Sequence, residues 1–197
     1  MFGAVYEGGR RAAIEAAERA CGAVGGRILD VGVGTGMSLP GYARSSRVVA
    51  VDYNVPMLRR ARERVIEQGL DHVEAMAVMD GKHLAFPDET FDVVVAQYLI
   101  TAVPDPEATL DEFARVLKPG GEIVLVNYLG AETGLRRAFE LGFSPLARRL
   151  GWRPEFRLSR LVKWAAQDGI HLIERRPMPR LGHFSLVRFG KAATADV

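Results

Sequence analysis

Arg27-Ile-Leu-Asp-Val-Gly-Val-Gly-Thr-Gly36 decides the fold. Ile28, Leu29 and Val31 form a short apolar run, as a strand buried on both faces requires. The run stops at Gly32, Gly34 and Gly36, where glycine at every second position allows positive φ and close backbone approach to a ligand. A second apolar run, Val48-Val-Ala-Val51, follows and ends in Asp52. A glycine turn after one strand and a carboxylate at the tip of the next suit a nucleoside, with backbone near its polar linkage and the acid on its ribose hydroxyls.

The glycine spacing selects among nucleosides. Dinucleotide folds use G-x-G-x-x-G, which opens a helix whose N-terminus receives a pyrophosphate. Here the pattern is Gly32-x-Gly34-x-Gly36, and Asp30 precedes it. An acid beside the loop repels a pyrophosphate and favours a cation such as a sulfonium or an α-ammonium. The string Asp30-Val-Gly-Val-Gly-Thr-Gly36 resembles motif I of class I S-adenosylmethionine (SAM) methyltransferases. That resemblance makes Asp30, Gly32, Gly34, Gly36 and Asp52 cofactor residues, with Tyr53 and Met57 just beyond them. The plainer alternative is a tight strand–helix turn in another doubly wound fold.

Strand and helix patterns alternate along the chain. An alanine-rich helix is expected over Arg10–Ala23, then strands at Arg27–Val31, Arg47–Val51, Val73–Val78, Phe91–Ala96 and Glu122–Val126. Between them lie a short helix near Leu39–Ala43, a helix Pro56–Gln68 capped by Asn54, and a helix Glu107–Leu117 ended by Lys118-Pro-Gly-Gly121. Helical segments near Leu135–Leu150 and Leu158–Asp168 precede two last strands, Ile170–Arg175 and Phe184–Phe189, joined by a short proline-containing link. The fold class is therefore α/β: a Rossmann-like, doubly wound, seven-stranded, mostly parallel sheet with an antiparallel final strand. One domain over 1–190 is expected, with an insertion at about 130–165 facing substrate and membrane, and a disordered tail at 191–197.

Ligands in such sheets bind beyond the carboxyl ends of the strands. Asp80 follows the third strand as Asp52 follows the second, so it can accept from an adenine amino group while Met79 packs on the ring. A strand-end Asp also serves as a plain turn residue. Gln97 and Tyr98 follow the fourth strand and Tyr128 the fifth, over the same edge. Tyr98 and Tyr128 can flank an acceptor amine with hydroxyls and ring faces, and His183, at the start of the last strand, can take its proton. Each also has a structural reading as a residue with a buried ring and a polar tip. No Ser/His/Asp or Cys/His nucleophile arrangement stands out, and methyl transfer needs none.

Composition narrows the rest. The single cysteine, Cys21, rules out a disulfide framework and a multi-cysteine metal site, and no metal is expected. No apolar run reaches membrane-spanning length, and the first residues lack a signal-peptide core. Net charge is +2, but Gly134–Trp164 holds Arg136, Arg137, Arg148, Arg149, Arg153, Arg157, Arg160 and Lys163 against only Glu140 and Glu155. With Leu135, Phe139, Leu146 and Trp152 among them, this segment suits an amphiphile with an anionic head group, or else covers the core as an ordinary amphipathic helix.

Across nearly its whole length the chain is similar to bacterial phosphatidylethanolamine N-methyltransferases of the Rhodobacter type. The pieces that carry the likeness are Leu29–Pro40, Ala96-Gln-Tyr98 with Thr101–Pro106, Arg115–Glu122, and Leu150-Gly-Trp152 with Gly182-His-Phe-Ser185. The resemblance implies SAM as methyl donor, S-adenosylhomocysteine (SAH) as product, and stepwise methylation of a phospholipid amine to phosphatidylcholine. It further implies a cytoplasmic protein held peripherally at the inner face of the cell membrane, on an anionic surface, monomeric and without nucleic acid. Similar enzymes carry an amino-terminal segment with a Tyr and a Trp, which would end where this chain starts, at Met1-Phe-Gly. A methyltransferase of a quinone precursor and a SAM-binding protein without transferase activity are the alternatives.

Overall fold

The structure, a computed structural model, describes residues 2–129, 156–166, 169–178 and 184–193, with side chains from Tyr6 onward. Helix α1 spans Phe2–Cys21; strand β1 Arg27–Val31; β2 Arg47–Asp52; helix α2 Val55–Glu67; β3 Val73–Val78; β4 Phe91–Gln97. Helix α3 spans Pro106–Val116; β5 Leu117–Tyr128; helix α4 Leu158–Ala165; β6 Ile170–Pro177; β7 Phe184–Lys191. One sheet holds all seven strands in the order β3-β2-β1-β4-β5-β7-β6. Pairing is parallel from β3 through β5, and β7 runs antiparallel to both β5 and β6. The strand order reverses between β1 and β4, so the carboxyl ends of those two strands border the crevice.

Alternation along each strand feeds two apolar layers. Ile28, Val48, Ala50, Val93, Val95, Val124 and Val126 face the α1 and α2 side. Leu29, Val49, Val51, Val94, Ala96, Ile123 and Leu125 face the α3 and α4 side. Both faces of the central strands are covered, which is why they read as continuous apolar runs. Helix α1 packs through Ala13, Ala16 and Ala17, all fully buried, and small side chains let the helix approach the sheet closely. Asn54 caps α2 by accepting the Met57 N–H, and Asp105 caps α3 by accepting the Ala108 N–H.

Three expectations need correction. Helix α1 begins at Phe2 rather than Arg10, because packing against the sheet outweighs the low helix propensity of Gly3, Gly8 and Gly9. The short helix after β1 is a single 3-10 turn, Leu39–Gly41. Helix α3 stops at Val116, and Lys118-Pro-Gly-Gly121 belongs to β5 with a register shift against β4. Gly120 takes φ +78°, and a Cβ on Gly121 would lie 2.6 Å from the Asp92 carbonyl. The expected segment Leu135–Leu150 and the tail beyond 193 lie outside the described residues, as do Arg136, Arg137, Arg148, Arg149, Trp152 and His183.

Candidate active site

The loop after β1 is shaped by its glycines. Gly32, Gly34 and Gly36 take φ of +76°, +58° and +73°, values costly for residues with a Cβ. A Cβ on Gly36 would stand 2.9 Å from that of Ala61 on α2, and one on Gly32 3.0 Å from Leu99 Cδ1 in the loop after β4. At Gly34 a Cβ would meet only Met57 Sδ, at 4.0 Å. Gly32 and Gly36 therefore serve packing, whereas Gly34 leaves open space where a ligand would lie.

Asp52 ties this loop to β2. Its Oδ2 accepts the Gly34 N–H at 2.7 Å and its Oδ1 accepts the Asn54 N–H at 2.7 Å. A carboxylate has about four lone-pair sites, so two remain for a vicinal diol. Tyr53 and Met57 flank it, 78% and 46% exposed, as open apolar walls. Asp80, at the end of β3, closes a turn by accepting the Lys82 N–H at 3.1 Å, while its carbonyl accepts from His83. It stays half-buried beside Met79, whose N–H donates to the Asp52 carbonyl.

Asp30 is buried to 1% exposure at the end of β1. Its Oδ2 accepts from Ser38 Oγ at 2.7 Å and Tyr42 Oη at 3.1 Å. Burial pushes this carboxyl up to about 6, and the nearby Asp52 charge adds to the rise, although the two hydroxyls oppose it. Asp30 lines a cavity of about 80 Å³ with Arg10, Gly32, Ser38, Gln97 and Tyr98. The Gln97 Nε2 is buried there without a hydrogen-bond partner among the described residues.

Tyr98 has φ +61°, rare for a residue with a side chain. Its N–H donates to the Val126 carbonyl at 2.6 Å, and its Oη donates to the Tyr6 carbonyl at 2.9 Å. Burial pushes the phenol up to about 12, so it stays protonated near neutral pH. The hydroxyl thus gives its proton to α1 and keeps its lone pairs as acceptors, beside the ring. That ring lies 4.8 Å from Tyr6 and 5.3 Å from Phe184, and Tyr128 lies 6.2 Å from Phe184. Four aromatic residues thus gather where α1, β4, β5 and β7 meet.

Arg10, Tyr6, Ser38, Tyr42 and Phe184 were not legible as site residues. The one available signal was helical spacing: Tyr6, Gly9 and Arg10 are three and four apart, hence on one face. Among the described residues no group of His, Cys, Asp or Glu could hold a metal ion. The Cys21 thiol, pushed up to about 12 by burial, is no nucleophile.

The groups present fit an S-adenosyl ligand. Gly34 leaves room, Asp52 keeps acceptor capacity for ribose hydroxyls, and Gln97 offers an unused buried donor. Such a crevice, on a sheet of this order with one antiparallel strand, defines the class I methyltransferase architecture. Residues 29–125 match the family model described as a methyltransferase domain. The chain is 43% identical over 165 residues to the phosphatidylethanolamine N-methyltransferase of Cereibacter sphaeroides, across 84% of this chain and 80% of that one. It is 39% identical over 128 residues to the demethylmenaquinone methyltransferase of Clavibacter sepedonicus, spanning 64% of this chain and about half (51%) of that protein's length. The solved structure of a SAM-dependent methyltransferase from Methanosarcina mazei superposes with a TM-score of 0.68 at 26% identity, covering 87% of this chain and 94% of that one. The chain belongs to the class I SAM-dependent methyltransferase family and resembles its phosphatidylethanolamine N-methyltransferases.

Proposed function

We propose that the chain is a phospholipid N-methyltransferase. It transfers methyl groups from SAM to the head-group amine of phosphatidylethanolamine and its methylated derivatives, towards phosphatidylcholine, at the anionic cytoplasmic surface of the membrane. The observation that carries this reading is the extent of one likeness. The match to the Cereibacter phospholipid enzyme runs over 80% of that enzyme, whereas the match to the Clavibacter quinone enzyme stops at 51%.

Bound SAM supplies an activated methyl group, so the chain needs no nucleophile of its own. Its residues hold the donor through Asp30, Gly34, Asp52, Asp80 and Gln97, align the acceptor, and exclude water. The rings of Tyr98, Tyr128 and Phe184 support an amine acceptor, since ring faces attract a nitrogen that gains permanent charge by about 0.5–2 kcal/mol. Arg136, Arg137, Arg148, Arg149 and Trp152, with the charge excess around them, support an anionic lipid surface.

A quinone-precursor methyltransferase is the second reading, favoured by the 39% identity to the Clavibacter enzyme over the shared region. The test supplies radiolabelled SAM with phosphatidylethanolamine and demethylmenaquinol in mixed anionic micelles. Label in the phospholipid is the expected result. Label confined to the quinone overturns the proposal, and tight SAM binding with no transfer to either leaves a cofactor-binding protein.

A further inference from the structure

We propose that Asn127, with the hydroxyls of Ser185 and Thr101, forms a subsite for an oxygen of the methyl acceptor, namely the phosphodiester of the head group whose amine reacts. The inference rests on the phospholipid reading and adds to it the groups that grip the lipid while its nitrogen is methylated.

Other buried polar side chains each make at least one short hydrogen bond. Ser38 donates to Asp30 at 2.7 Å, Ser46 to Glu18 at 2.8 Å, Thr109 to the Asp105 carbonyl at 2.8 Å, and His72 Nε2 lies 2.9 Å from the Leu39 carbonyl. Asn127 departs from this pattern. It is 2% exposed, yet its Nδ2 has no partner, and its Oδ1 lies 3.5 Å from Thr101 Oγ1, at the limit of a hydrogen bond. Its register partner on β7 is Ser185, also buried, whose hydroxyl has no partner among the described residues. Directly opposed residues of an antiparallel pair share a face, so the amide and the hydroxyl stand side by side. A buried donor left unpaired works against stability, and its presence here points to an oxygen that arrives with a ligand.

The position selects the acceptor over the cofactor. The groups that fit an S-adenosyl ligand stand at the carboxyl ends of β1 to β4, as Asp30, Asp52, Asp80 and Gln97. The end of β5 and the start of β7, where Tyr128 pairs with Phe184, are left for the molecule that takes the methyl group. Successive strand residues point to opposite faces. Tyr128 therefore meets the aromatic cluster through Phe184, whereas Asn127 faces the layer of Ile123 and Leu125. A head group lying across the end of β5 meets rings at its amine and the amide at its phosphodiester, two carbons along. Amide and hydroxyls are neutral donors, so they hold the phosphate oxygen and leave its charge to balance the nitrogen.

The test measures methylation of phosphatidylethanolamine in mixed micelles by the full chain, beside thermal unfolding and SAH calorimetry. Asn127→Leu keeps the shape and removes both polar atoms. It should raise the lipid KM about ten- to a hundredfold and leave SAH affinity within about twofold. Its melting temperature should hold or rise, because an unpaired buried donor has gone. Ser185→Ala removes a single oxygen, and should raise the lipid KM about threefold at an unchanged melting temperature. An unchanged lipid KM in Asn127→Leu overturns the proposal, as does an unchanged one in Ser185→Ala where the leucine variant does not fold. So does a lower melting temperature with equal losses for lipid and SAH, which would make Asn127 a support of the strand end. If the unmodified protein methylates no phospholipid, the phospholipid reading itself fails and the subsite falls with it.

Discussion

Asp30 has a folded-state pKa near 6 against an ordinary value of 3.8, and the direction sets a pH signature. Between those values the folded chain holds a proton that the unfolded chain has lost, so stability falls as pH rises through that window. The loss is absent below about pH 4 and complete above about pH 6. A shift of this size corresponds to about 3 kcal/mol. Asp30→Asn keeps an oxygen for Ser38 and Tyr42 but removes the buried charge. Its melting temperature should therefore match or exceed that of the unmodified protein at pH 7, with the advantage vanishing near pH 4, while SAH affinity drops. A variant less stable at pH 7 by the same margin as at pH 4 would show that the carboxylate is not strained by burial. Asp52 is the counterpart on the nucleoside side. Asp52→Ala should weaken SAH binding by about 1.5–3 kcal/mol, and calorimetry showing unchanged affinity would remove Asp52 from the site. Both acids were legible in the sequence because Asp52 directly ends one apolar run and Asp30 stands one residue before the end of the other, and β-strand direction alone carries such residues to the carboxyl edge. Arg10 was not, since nothing in an alanine-rich helix tells which face meets a crevice built much later in the chain.

Helix α1 is where local sequence and tertiary packing disagree most. Its glycines read as breakers, yet Gly9 is the residue on which the helix seats. A Cβ there would overlap Tyr98 Oη and stand 2.9 Å from Val126 Cγ1. Gly9→Ala should destabilise the protein by about 1–3 kcal/mol. Tyr98→Phe removes the hydroxyl and its bond to Tyr6, at about 1 kcal/mol. Combined, the two changes should cost less than their sum, because the phenylalanine leaves room for the methyl group. Thermal unfolding of the four proteins measures that coupling, and strict additivity would separate Gly9 from Tyr98. On the other face, α4 is anchored to α3 by Trp164 Nε1 on Asp111 at 2.7 Å and by the Arg160–Glu107 pair. Sequence spacing placed both helices but not their contact, which joins residues 53 apart.

At the scale of the whole molecule, five strands and the alternating helices follow from period and punctuation, since parallel strands covered on both faces are uniformly apolar. The insertion of β7 between β5 and β6 does not follow, because it depends on long-range pairing such as Val126 with Leu186. The charge distribution also acts at this scale. Each arginine near an anionic bilayer contributes about 1 kcal/mol, less in high salt. Reversing Arg148 and Arg149 to Glu should reduce sedimentation with anionic vesicles and leave SAH affinity alone; equal binding to neutral vesicles in high salt would contradict a charge-driven association. The central claim is that methyl groups arrive on a phospholipid nitrogen. Its most direct measurement is mass spectrometry of phosphatidylethanolamine incubated with the protein and SAM carrying a deuterated methyl group. Head groups whose nitrogen carries labelled methyl groups, with later products growing from earlier ones, are the expected result. An unlabelled head group, with deuterium on a quinone ring carbon or still wholly on SAM, would contradict it.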